Sequence, residues 1–184
     1  MEKKLLSVKA VVAIAIGAAL MFVLMRFVAV PSGVPNTNLN LGSAILASFA
    51  AVFGPIAGLL IGFIGHTITD LTWGGVWWSW VIADAVFGLL VGIFWKLFKI
   101  EEGEFGVKQC VIFNVVQILA NVVAWVVVAP LGDILIYAEP ANKVFLQGLV
   151  AAGLNSLVIL ILGSLIIFGY GRTRIKAGSL KAEE

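Results

Sequence analysis

The chain has 184 residues, of which 61% are hydrophobic and only 12% charged, and its mean hydropathy is +1.10. Soluble domains run near 45–50% apolar and about 25% charged, and a globule of this length cannot hide so much apolar surface. A soluble enzyme, a disordered chain and a nucleic-acid-binding module are therefore excluded, and an integral membrane protein remains. The single cysteine, Cys110, rules out a disulfide framework and a Cys-based metal site.

A spanning helix needs about 20 mostly apolar residues. The first such stretch runs from Lys9 to Val30, after a charged head that includes Lys3 and Lys4. Pro31 to Asn40 is a run of breakers and Asx-turn formers, read as a loop. Leu41 to Ile68 is apolar but broken at Gly54-Pro55, which predicts a short helix to Phe53, a turn, and a third helix over Ile56–Asp70. A single kinked helix here would reverse the orientation of everything downstream. Val76–Phe98, Val107–Pro130 and Val144–Gly169 complete six spans.

Charge placement favours the even count. Ten of the twelve Lys and Arg fall in three clusters: Lys3, Lys4 and Lys9; Lys96, Lys99 and Lys108; Arg172, Arg174, Lys176 and Lys181. The positive-inside rule puts all three in the cytoplasm. Both termini are then inside, and the linkers over 31–41, 71–76 and 131–143 face outward with only Lys143 among them. The expected fold is an all-α, single-domain bundle of six transmembrane helices over residues 1–184, with cytoplasmic N and C termini.

The chain carries no Gly-x-x-x-x-Gly-Lys-Ser/Thr phosphate cradle, no Gly-x-Ser-x-Gly elbow and no His-Glu-x-x-His pair. It does not hydrolyse ATP by itself, and no catalytic or metal-binding residue is assigned. Polar groups within apolar spans are costly and need a reason. Asn114, Gln117, Asn121 and Trp125 share one helical face, either as interhelical hydrogen-bonding groups or as part of a cavity. His66 and Asp70 are four apart near the outer end of the third span, where a proton relay is conceivable. Asp84 lies inside the fourth, and Arg26 is expected to neutralise either Asp84 or Asp70, the sharper alternative being that these groups flank a substrate cavity open to the outside. Trp73, Trp77, Trp78 and Trp80 cluster at one membrane entry, as an interfacial belt or as stacking partners for a flat ligand. Gly54, Gly58 and Gly62, then Asp84, Gly88 and Gly92, repeat every four residues and invite close helix approach, as do Ala15 and Ala19.

Together these features resemble the substrate-binding S-components of energy-coupling factor (ECF) transporters over essentially the whole chain. The first helix holds their Ala-x-x-x-Ala within Ile14–Leu20. A narrower likeness, to a cobalamin-type subgroup, rests on Pro-Asn-Thr-Asn (Pro35–Asn38), Phe-Gly-Pro-x-x-Gly-x-x-x-Gly-Phe-x-Gly-His (Phe53–His66) and Trp-Trp-Ser-Trp (Trp77–Trp80). The resemblance implies a vitamin-binding subunit of a bacterial cytoplasmic membrane whose Ala15 and Ala19 dock a transmembrane T-component carrying two ABC ATPases. ATP would be used by those partners, and no cofactor or nucleic acid by this chain. Family topology would line an outward cavity with Asn36, Asn38, Trp73, Trp77, Trp78, Asp84, Asn121, Trp125 and Tyr137. Cobalamin is the implied substrate, with a thiamine-precursor pyrimidine or a methionine-like molecule as rivals. A proton-coupled secondary carrier working through His66 and Asp70 is the alternative of another class.

Overall fold

A computed structural model describes residues 7–174 and is helical apart from a two-residue antiparallel ladder. Helix α1 covers Val8–Phe27, and strands β1 (Val30–Pro31) and β2 (Asn38–Leu39) form a short hairpin. Helices α2 (Gly42–Phe53), α3 (Pro55–Trp73) and α4 (Trp78–Ile93) follow, then a 3₁₀ turn at Trp95–Phe98. Helix α5 (Val107–Asn121) runs through a π-helical stretch at Val122–Val128 into α6 (Ala129–Tyr137). Helix α7 (Ala141–Val158) passes through a second π stretch, Ile159–Gly163, into α8 (Ser164–Gly171).

Local chemistry sets the breaks. The Ser7 hydroxyl accepts a hydrogen bond from the Ala10 N–H at 3.2 Å and caps α1. Gly54 ends α2 at φ +87°, a region costly for other residues, and Pro55 starts α3 at the one position where its missing N–H is not needed. The expected turn at Gly54-Pro55 is therefore present. In the hairpin, the Ser32 hydroxyl donates to the Thr37 carbonyl at 2.6 Å, and Asn36 adopts a left-handed conformation at φ 57°.

The described residues form six helical rods. Val8–Phe27, Pro55–Trp73, Val107–Tyr137 and Ala141–Gly171 are long and apolar enough to cross a membrane. The last two, at 31 residues, are each about 46 Å long at 1.5 Å per residue, against a hydrocarbon core of about 30 Å. Helices α2 and α4 are shorter, at 12 and 16 residues. Nearly all of α2 is buried, so it meets neighbouring helices instead of lipid and need not match the bilayer in length.

Glu101, between the 3₁₀ turn and α5, accepts from Lys9 at 3.3 Å, from the Tyr170 hydroxyl at 2.8 Å and from Arg174 at 3.5 Å. The start of α1, the end of α8 and the 99–106 loop thus meet at one end of the bundle, and the β-hairpin lies at the other. Lys3, Lys4, Lys176 and Lys181, which contribute to the basic clusters, lie outside the described residues.

Two expectations need correction. The fifth rod does not end at Pro130 but continues to Tyr137, so most of the expected 131–143 linker is helix. A proline inside an α-helix removes an N–H and clashes with the carbonyl four residues back. Here the wider π turns absorb both effects: the Ala129 N–H bonds the Ala124 carbonyl five residues back, just before Pro130. The second correction concerns Arg26, which pairs with neither Asp84 nor Asp70. It lies over the Trp73 ring, 4.0 Å from the centroid. Asp84 is turned to α3 and is taken by His66.

The most extensive helix contact is between α3 and α4. A Cβ at Gly58 would overlap the Gly88 carbonyl, one at Gly62 would sit 2.5 Å from the Asp84 carbonyl oxygen, and one at Gly92 would sit 2.5 Å from Pro55 Cα. The four-residue glycine repeats are thus the seam of this pair. Gly58→Ala is expected to lose about 1–3 kcal/mol of stability, since rigid backbone must move. Gly153→Ala, where nothing lies within 4 Å, is expected to gain about 0.5–1 kcal/mol from helix propensity. Thermal midpoints in detergent should move in opposite directions.

Candidate functional site

A cavity of about 420 Å³ opens at the hairpin end, between the hairpin, α3, α4, the α5–α6 rod and α7. Helix α3 contributes His66, Thr69, Asp70 and Trp73, and the start of α4 contributes Trp77 and Trp80. Trp125 comes from the π stretch and Asp133 from α6. Val144, Gln147, Ala151 and Asn155 form one stripe of α7, at spacings of three, four and four. The hairpin supplies Asn36, Thr37 and Asn38, and Gln147 donates to the Pro35 carbonyl at 2.8 Å, pinning the hairpin over the opening.

Asp133 organises much of this wall. Its Oδ1 accepts the Trp77 indole N–H at 2.6 Å and the Ser79 hydroxyl, and its Oδ2 accepts the Trp80 indole N–H at 2.9 Å. One turn further on, the Tyr137 hydroxyl accepts the Trp78 backbone N–H at 2.9 Å, and its ring stacks on Trp77 with centroids 4.0 Å apart. Two side chains of α6 therefore hold the first turn of α4 and set two indole rings of the cavity. Trp80 meets Trp125 edge-on at 5.4 Å.

The charged groups are mostly answered locally. His66 Nδ1 lies 2.6 Å from Asp84 Oδ2, and its Nε2 lies 3.5 Å from Asp70 Oδ1, so the imidazole bridges a buried carboxylate and one at the cavity wall. Asp70 Oδ2 accepts the Trp77 backbone N–H at 2.9 Å. Lys143 and Glu139 form an ion pair at 2.7 Å near the rim.

Of the residues expected at the site, Asn36, Asn38, Trp73, Trp77 and Trp125 line this cavity. Asp84, Asn121, Trp78 and Tyr137 are not part of its lining. Asp84 sits behind His66, and Tyr137 sits behind Trp77. Trp78 stacks on Phe63 at 6.2 Å. Asn121 heads a buried amide chain: its Nδ2 donates to Gln117 Oε1 at 3.0 Å, Gln117 donates to Asn114 at 3.3 Å, and Asn114 donates to Ser164 at 3.0 Å. Asn114 and Gln117 thus tie α5 to the α7–α8 rod, which is the interhelical role. Sequence reasoning does not find Asp133, Gln147 or Asn155. The α7 stripe carries a helical-face signal like that of Asn114–Trp125, whereas Asp133 is hidden by the expectation that the helix stops at Pro130.

The family model described as "ECF-type riboflavin transporter, S component" matches residues 5–172. The chain belongs to this family. As an S component it is a substrate-binding transport subunit of a membrane transporter and not an enzyme. Relatives that each bear the name UPF0397 protein cover it almost end to end. One from Lactobacillus helveticus is 50% identical over all of both chains. One from Leuconostoc citreum is 54% identical over 96% of this chain and 95% of its own. One from Clostridium perfringens is 48% identical over the full length of both. The family is named for riboflavin, so the cobalamin expectation draws no support from it.

Proposed function

We propose that this S component crosses a bacterial cytoplasmic membrane six times with both ends inside, and captures a small flat heteroaromatic compound from outside. It hands that compound inward only when joined to a T-component and two ABC ATPases. The reading rests above all on one observation: a cavity bordered by four tryptophans at the end of the bundle opposite Glu101. The basic residues Lys9, Lys96, Lys99, Lys108, Arg172 and Arg174 belong to the Glu101 end, which supports placing that end in the cytoplasm. A volume of about 420 Å³ lies in the lower part of the roughly 300–1,000 Å³ range of small-molecule pockets. That is room for a heterocycle of one to three rings and speaks against enclosing a corrin with its nucleotide tail. A methionine-like molecule would leave the indole faces without a ring to stack on.

The test is uptake by proteoliposomes holding the S component alone or with its T-component and ATPases, supplied with the compound that co-purifies from the membrane. Uptake is expected only with partners and ATP. The secondary-carrier reading keeps one observation in its favour, the Asp84–His66–Asp70 array. It predicts that a pH gradient drives uptake by the lone chain and that His66→Gln abolishes it; such a result would replace the ATP-dependent reading.

A further inference from the structure

We propose that the ring taken up by this cavity carries a positively charged nitrogen, with Asp70 as its countercharge. This rests on the reading of the cavity as a substrate site and adds the charge of the substrate. Lys143, the lysine of the wall, is held by Glu139 at 2.7 Å. His66 also borders the cavity, and its single imidazole is shared by two carboxylates, Asp84 at 2.6 Å and Asp70 at 3.5 Å. Asp70 therefore has only a share in one imidazole, and Asp133 has no cation of its own among the described residues. An anionic substrate would be desolvated against two carboxylates with no free partner, which is costly.

Asp133 is saturated by its three donors, whereas Asp70 keeps capacity. Its Oδ2 takes the Trp77 N–H, but its Oδ1 lies at a long 3.5 Å from His66, beyond normal hydrogen-bond length. It is also flanked by Trp73 and Trp77, whose faces attract cations through the ring quadrupole. Arg26 already uses this property, lying 4.0 Å from the Trp73 centroid without bordering the cavity. A carboxylate whose imidazole is shared with a second carboxylate, on a wall that also carries indoles, is a site for a flat cation.

The experiment uses the full chain in detergent and three tricyclic probes of similar shape: 10-methylacridinium (cation), acridone (neutral) and acridine-9-carboxylate (anion). Binding is read by quenching of tryptophan fluorescence. The cation is expected to bind at least tenfold tighter than acridone, and the anion weakest. Asp70→Asn, which keeps an acceptor for the Trp77 N–H, should bring the cation's affinity down to that of acridone measured on the same variant. Glu139→Gln, which frees Lys143, should tighten the anion at least threefold. Equal binding of cation, acridone and anion, or an advantage that survives Asp70→Asn, overturns the charge assignment while leaving the aromatic cavity standing. Failure of all three probes to bind overturns both.

Discussion

Asp133→Asn is expected to lower stability by about 3 kcal/mol and to weaken acridone binding at least tenfold. The carboxylate is buried and receives both indole N–H groups and the Ser79 hydroxyl, so all of its partners are donors. Hydrogen bonds to charged acceptors contribute about 1.5–3 kcal/mol each, and a buried donor left unpaired costs about 1–3 kcal/mol. Asparagine offers one acceptor oxygen, which serves Trp77 and Ser79, but turns its own N–H toward the Trp80 N–H. The indole of Trp80 then leaves its place beside Trp125, and the wall loses its shape. Tyr137→Phe is the milder contrast, because it removes only the acceptor for the Trp78 N–H and keeps the ring stacked on Trp77. A loss of about 1 kcal/mol with near-normal acridone binding is expected there. Thermal midpoints, tryptophan emission maxima and acridone titrations on the two variants separate a positioning role from plain structural support. Asp133→Asn with unchanged affinity and emission would show that the indoles are held by packing alone.

The helices, the break at Gly54-Pro55 and the glycine seam are legible in the sequence because each depends on local chemistry. Apolar length makes a rod whatever its neighbours do, proline and a positive φ stop it, and a four-residue glycine repeat reads as close approach on any helix. What stays hidden depends on partners distant in sequence. Arg26 invites a match to a carboxylate because charges attract, yet Trp73 is what stands beside it, and Asp84 goes to His66. Pro130 reads as a terminator by the rule for α-helices, and the π stretch before it lifts that rule. That one misreading carries Asp133 and Tyr137 out of the helix that presents them to α4. The tryptophan cluster is visible, but its division into Trp77 and Trp80 at the cavity and Trp78 against Phe63 follows from the first turn of α4, where successive side chains point in different directions.

Replacing both Ala15 and Ala19 with Trp is expected to abolish assembly with the T-component and ATPases while leaving acridone binding within about twofold. Both alanines are exposed on α1, on a face that no other element covers among the described residues, whereas their neighbours Ala13, Ile14, Gly17 and Ala18 point into the bundle. Residues four apart on a helix are surface neighbours, about 5–6 Å between Cβ atoms, so two alanines make a shallow saddle. A partner helix can settle into such a saddle at short range, with van der Waals contact as the driving force in lipid. Two indoles fill the saddle and hold a partner off by more than a side-chain width, yet meet only lipid in the free subunit. The cavity lies at the hairpin end, and its α1 side consists of Met25, near the end of the helix, and Ala29 just beyond it, both well over one turn past Ala19. Co-purification with tagged T-component measures assembly, and probe titration on the same sample measures the cavity. Loss of assembly alone is the expected pattern. Retained assembly would move the docking surface elsewhere, and loss of both would mean that the exposed face of α1 supports the bundle itself.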